Sequence, residues 1–200
     1  MSQPLNLPLN DLALDTLFRE ARTHNGWVEE TLPEQVFHDI YNLMKFGPTS
    51  ANISPARFVW VASEAGKAKL AALAMPSNGE KIKKAPVTVI IGYDLDFPNL
   101  VPKLFPHNPG AKDWFQDPTF RELSAVRNSS LQGAYLMLAA RALGYQCGPM
   151  SGFNNAAVDE AFFGGTNIKS NFITIIGHGT DENLFPRSPR LSFDEANTVA

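Results

Sequence analysis

Gly47-Pro-Thr-Ser-Ala-Asn-Ile-Ser-Pro-Ala-Arg-Phe58 is the stretch on which the reading of this chain turns. It gathers small hydroxyl and carboxamide side chains between two prolines. A helical pattern ends just before it, and a strand-like run, Phe58 to Val61, starts just after. Hydroxyls, an amide and free backbone N–H groups at a joint between rigid elements can hold a polar ligand through many short hydrogen bonds. The same residue types also build ordinary helix-to-strand connections. Composition alone leaves both readings open.

Upstream, Thr31 and Glu34 have the spacing of a capping box, with Pro33 in the first turn of the helix they open. Val36, Ile40, Leu43 and Met44 form its apolar stripe, and Gly47-Pro48 ends it. An earlier helix starts at Asn10 or Asp11, carries Leu14, Leu17, Phe18 and Ala21 at helical spacing, and runs out at Arg22-Thr23-His24-Asn25-Gly26-Trp27. That run concentrates hydrogen-bonding groups, although helix-end capping by a solvated Arg explains it equally well.

Downstream of a strand at 58–62, residues 64–75 read as a helix and Ser77 to Lys81 as a turn into a basic segment. Val87 to Tyr93 reads as a strand buried on both faces. Residues 94–117 are rich in Pro, Gly and aromatics without periodicity, which suits a packed lid or an arm reaching a second copy. The longest helix is expected over 118–143. From Leu131 onward it is apolar almost all round apart from Gln132 and Arg141, so its own domain or a partner must surround it. Gly144 closes it. Gly148-Pro149-Met150-Ser151-Gly152 then reads as a glycine-bracketed loop that lets backbone approach a flat ligand, though a plain turn looks the same. Asn154 caps a short helix, Phe172 to Gly177 is a further strand, and Ser192 caps a last helical turn. Between them, Arg187 and Arg190 sit in a proline-braced tail that either clamps an anion or lies in solvent.

Two hundred residues, 44% hydrophobic and 18% charged, suit one globular domain over residues 11–200 behind a flexible arm at 1–10. A net charge of −3 without a clustered basic block argues against nucleic acid as a partner. The first ten residues lack the pattern of a signal peptide and no apolar run is long enough for a membrane span, so a cytoplasmic setting is expected. Cys147 stands alone and is expected to be a small buried hydrophobe. The scattered histidines show no metal-ligand spacing, and neither a Gly-x-Gly-x-x-Gly turn, a phosphate-binding P-loop nor a nucleophile elbow is present. What remains is a set of polar, backbone-rich loops with arginines, suited to an anionic cofactor that brings its own chemistry.

Four stretches, in order, resemble the FMN-dependent nitroreductase family: Arg22-Thr23 to Trp27, Gly47 to Pro55, Asn78 to Pro86, and Gly148 to Gly152 with Arg190. Ala-Arg-Thr-His-Asn-Gly-Trp, Gly-Pro-Thr-Ser-Ala-Asn, Arg-Asn-Ser-Ser and Gly-Pro-Met-Ser-Gly-Phe are similar to the branch of malonic semialdehyde reductases of pyrimidine degradation. The resemblance implies an α+β fold with a central, mostly antiparallel sheet flanked by helices, in an interlocked homodimer with FMN at the subunit interface. It implies that Arg22, Thr23 and Asn25 hold the phosphate and ribityl end or the ring edge, with Arg190 and Arg187 on the phosphate. Asn78 and Lys81 would lie near the pyrimidine edge, and Pro149, Met150, Ser151 and Gly152 along the ring. Pro48, Thr49, Ser50 and Asn52 would come from the partner. No side chain need be a catalytic nucleophile: NADH or NADPH reduces the flavin, which then reduces a small acceptor such as malonic semialdehyde. A general nitroaromatic or quinone reductase, or a non-catalytic flavin-binding protein, are the alternatives. Ser54 and Ala56 depart from the family, where many members have Gln and an aromatic or His, and an acidic residue common near Ser151 is missing.

Overall fold

The computed structural model describes residues 7–200, so most of the arm expected at 1–10 lies outside the described residues. Asn10 caps α1 (Asp11–Leu14) by accepting from the Ala13 N–H at 2.9 Å, and a widened turn, Asp15–Arg19, prolongs it. The helix ends there, short of Gly26. That glycine instead opens β1 (Gly26–Trp27), where a Cβ would collide with Thr180 Oγ1.

The expected Thr31–Glu34 capping box does not form. Pro33, in extended backbone, takes the N-cap position of α2 (Glu34–Met44) and leaves Thr31 outside the helix. Ile40 and Met44 are buried but Leu43 is 47% exposed, so the apolar stripe is covered on one side only.

After β2 (Ala56–Val61) and α3 (Glu64–Ala71), Ser77 to Lys81 is not a turn but the middle of α4 (Pro76–Lys84). Pro76 supplies the helical φ at its first turn. Gly79, read as part of that turn, is there for close approach: a Cβ would lie 2.8 Å from the Ala71 carbonyl oxygen. β3 (Val87–Asp94) is buried on both faces, as its β-branched run required.

Residues 94–117 fold into short turns, Phe97–Leu100 and Pro109–Phe115, around α5 (Val101–Leu104). Phe97, Val101, Ala111 and Phe115 build a core of their own with Ile53, Tyr93 and Ala125. Missing periodicity here reflects single-turn elements, not disorder.

Asp117 caps α6 (Pro118–Ala142), and Gly144 closes it at φ +89°. The expected loop at 148–152 begins as a strand, β4 (Gln146–Met150), whose edge position tolerates the missing N–H of Pro149. Asn154 caps α7 (Asn155–Phe163), then follow β5 (Ile168–Gly177) and β6 (Gly179–Thr180). Ser192 and Glu195 form the capping box of α8 (Phe193–Ala196).

The sheet runs β2-β3-β5-β4, antiparallel throughout, and β1 pairs with β6 in a separate ribbon. Alternation along β3 sends Val87, Val89 and Ile91 towards α2 and α6, and Ile90 towards α3, α4 and α7. The consequence for function is simple. β2 and β4 are the two opposite edges.

No helix among the described residues is long and apolar enough to cross a membrane.

Candidate functional site

Along the β4 edge the chain before β1 forms a bridge, Thr23 to Cys147, and the tail folds back against Arg19 to Arg22. Between them lies a cavity of about 600 Å³ lined by Arg22, Thr23, Asn25, Arg141, Arg187 and Arg190, with Phe18 and Phe185. Every guanidinium there donates to backbone carbonyls: Arg22 to Phe185, Arg141 to Leu17 at 3.0 Å, Arg187 to Ala21 at 3.0 Å, and Arg190 to Ser188 at 2.8 Å. Among the described residues none of the four makes an ion pair, and no carboxylate lines the cavity. Carbonyls fix the orientation of these cations without neutralising them. Four charges of one sign around a cavity without a carboxylate in its lining suit an anion.

A second cavity, about 340 Å³, shares Asn25 and Phe185 with the first and adds Ser77, Lys81 and Asn183, together with Glu80, Lys84 and Glu182, of which the last two pair at 4.0 Å. Its neighbour Lys83 is paired with Glu80 at 2.8 Å, whereas Lys81 has no carboxylate partner among the described residues. α4 is tied to the end of β4 by Asn78 Nδ2, which donates to the Gly152 carbonyl at 3.1 Å. A Cβ on Gly148 would lie 2.7 Å from the His24 carbonyl oxygen, and one on Gly152 would press on Asn78 Nδ2 and Met75 Sδ, each at 2.7 Å. Gly148 is therefore demanded by backbone packing, whereas at Gly152 the ends of the Asn78 and Met75 side chains would have to shift.

Of the expected site residues, Arg22, Thr23, Asn25, Asn78, Lys81, Pro149, Met150, Ser151, Gly152, Arg187 and Arg190 thus gather on one flank. His24, in the same motif, is structural: its Nδ1–H donates to the Thr180 carbonyl at 3.1 Å. Cys147 is fully buried, and burial pushes its thiol up to about 12.

Pro48, Thr49, Ser50 and Asn52 do not join that flank. Their loop leads into β2, at the other edge of the sheet, three strand spacings or about 14 Å from β4. Ala51, Asn52 and Ser54 have φ of 47°, 52° and 39°, a left-handed conformation that side-chain-bearing residues adopt at a cost. Thr49 Oγ1 accepts from the Ser54 N–H at 3.1 Å, and Asn52 Nδ2 donates to the Leu104 carbonyl at 2.8 Å, joining the loop to the 94–117 excursion.

Two contributors escaped the sequence reading. Arg141 was visible as the one cation in an otherwise apolar helical half, a signal that points to a polar cavity. Asn183 sits at φ +55° and its carbonyl accepts from Asn25 Nδ2 at 2.9 Å, a pairing that only the fold creates.

Residues 19–178 match the model of the nitroreductase family. A protein of Caulobacter vibrioides, provisionally named NADH dehydrogenase/NAD(P)H nitroreductase, is 67% identical over 191 residues, which are 96% of this chain and 98% of that one. HadB of Ralstonia pickettii, with the same provisional name, is 56% identical over 192 residues, covering 94% and 98%. Among solved structures, a nitroreductase of Exiguobacterium sibiricum 255-15, described in complex with FMN, superposes with a TM-score of 0.85 at 20% identity, covering 97% of this chain and 99% of that one. One from Bacillus subtilis gives 0.83 at 19% identity, covering 96% and 100%. At such identities these two likenesses speak to the fold alone.

Proposed function

We infer the function from one premise: the chain belongs to the nitroreductase family. We propose that it is an FMN-dependent NAD(P)H oxidoreductase acting as a homodimer, with a short aldehyde, malonic semialdehyde going to 3-hydroxypropionate, as its acceptor. The observation that carries the cofactor reading is the arginine cavity, whose donors are all cationic or neutral and whose charge no carboxylate offsets. A phosphate monoester fits that donor set, because forked guanidinium hydrogen bonds match its oxygens.

Arg22, Arg187 and Arg190 would hold the phosphate, with Thr23 and Asn25 on the adjoining chain and Arg141 behind them. Asn25 also lines the second cavity, so a ligand continuing from the phosphate meets Lys81 next. Lys81, lacking a carboxylate partner, is free to stabilise negative charge on that ligand. When bound, FMN supplies the redox chemistry, taking a hydride from NAD(P)H and giving an electron pair to the acceptor. In net terms the aldehyde, NAD(P)H and a proton become the alcohol and NAD(P)⁺. The residues of this chain bind and orient.

Two features support the homodimer. The loop at 47–55 and the β4 flank lie at opposite edges of one sheet, so for the two to share one ligand a second copy would bring its loop to this flank. Tyr41, Leu43, Phe46, Leu131 and Tyr135 are large apolar residues at least 39% exposed on α2, its end and α6, which is the surface a dimer would cover. Malonic semialdehyde rests on the likeness of the sequence motifs and the small side chains of Ser54 and Ala56.

The test is direct. Purified protein incubated with FMN should turn yellow, sediment as a dimer and bleach anaerobically with NADH or NADPH. Colour should return fastest with malonic semialdehyde in a panel of aldehydes, nitroarenes and quinones. Protein that stays colourless overturns the cofactor reading; faster return with nitroarenes or quinones overturns the acceptor.

A further inference from the structure

We propose that Asn128 and Gln132 of α6 are positioning residues that clamp both ends of the left-handed 49–56 loop and so present it to the flavin site of the opposite copy. The proposal rests on the cofactor reading above and adds residues to it that touch no ligand.

A loop with three side-chain-bearing residues at positive φ does not keep that shape unaided; its surroundings must determine it. α6 supplies the determinants. Asn128, 1% exposed, accepts the Ser50 N–H on Oδ1 at 2.8 Å and donates from Nδ2 to the Ser124 carbonyl at 2.8 Å. The second bond fixes the carboxamide so that its oxygen faces the loop. One turn along the same face, Gln132, 7% exposed, accepts the Ala56 N–H on Oε1 at 2.8 Å. The two acceptors therefore bracket the strained residues, one on each side. Arg57 adds a brace from β2, donating to the Ser54 carbonyl at 3.2 Å while paired with Asp94 at 2.6 Å.

Nothing else about α6 asks for these amides. In a helix otherwise packed by Leu136, Ala139 and Ala140, buried carboxamides cost desolvation unless their partners are satisfied. The partners they satisfy here are the backbone donors of the loop. Ser129 and Ser130 show the contrast: they are polar on the same helix, yet they meet Asn171 at 2.9 Å and stay away from the loop.

The test combines exchange and binding on the full-length protein. In the wild type without flavin, the Ser50 and Ala56 amides should exchange far more slowly than in an unstructured peptide. In Asn128→Leu, exchange should speed up over 49–56 while the sheet amides stay protected, and the Kd for FMN should rise about tenfold or more. Gln132→Leu should act in the same direction. Asn171→Ala, which removes a contact to the same helix but none to the loop, should change the melting temperature with the Kd for FMN within about twofold of wild type. Unprotected Ser50 and Ala56 amides in the wild type overturn the clamp. So does an Asn128→Leu protein with wild-type affinity, or an equal loss in Asn171→Ala. A wild-type protein that takes up no FMN overturns the cofactor reading, and this proposal falls with it; uptake by wild type and Asn128→Leu alike overturns the clamp alone.

Discussion

The two halves of the candidate site are built on opposite principles. The β4 flank is an assembly of exposed charge: Arg187 and Arg190 lie in solvent on an irregular tail, oriented only by backbone carbonyls. The 47–56 loop carries no charge between Gly47 and Ala56, and its shape is imposed by buried amides one helix away. Coulombic attraction falls off slowly with distance, so the first half tolerates small displacements. Hydrogen bonds from a strained backbone do not, so the second half must be held rigid. A ligand with a charged end and a flat neutral end suits that division.

If the flank works by charge, removing one cation should be the largest single blow to ligand affinity. Arg22→Ala should weaken FMN by about 30-fold, corresponding to about 2 kcal/mol for a charge-assisted bond, measured by flavin fluorescence titration. Raising ionic strength should weaken the wild type in the same direction, because these cations are exposed or half-exposed and therefore screened. Affinity indifferent to both changes would move the binding energy away from the arginines.

If the loop works by buried determinants, its cost should show in folding. Gln132→Leu leaves the buried Ala56 N–H without an acceptor and should destabilise the protein by about 1–3 kcal/mol in urea unfolding. Arg190→Ala on the flank, which removes only bonds to its own neighbouring carbonyls, should stay within about 0.5 kcal/mol of wild type. Equal costs would erase the contrast.

The same contrast explains what could be read in the sequence. The buried strand at 87–94, the caps at Asn10, Asn154 and Ser192, and the stop at Gly144 are local, and local chemistry fixes them. Glycines misled where their reason was distant. Gly79 looked like part of a turn because the Ala71 carbonyl that it accommodates belongs to another helix. The 148–152 run looked like a loop because nothing nearby announces that β5 will pair with Gly148, Pro149 and Met150. Among site residues, the motif stretches were legible because polar side chains cluster in sequence there. Arg141, Asn128 and Gln132 showed as polar breaks in the long helix, but their partners did not, since each acts across a fold that brings residues 76 or more positions apart together.

The smallest effect probes the strain itself. Ala51 holds φ +47° without the freedom of a glycine, and it packs against the cluster of Phe97 and Phe115. Replacing it with Gly removes the clash between Cβ and backbone, while loosening the unfolded chain and losing one partly buried methyl. The first term is about 1 kcal/mol or somewhat more, and the others together offset much of it. Ala51→Gly should therefore leave stability within about 1 kcal/mol of wild type, on the stabilising side, when followed by urea unfolding. FMN affinity should stay near wild type, because the Asn128 and Gln132 bonds that set the loop are untouched. A stable Ala51→Gly protein that binds FMN poorly would mean that residue 51 sets the loop shape through its side chain, and the buried amides would then merely accompany it.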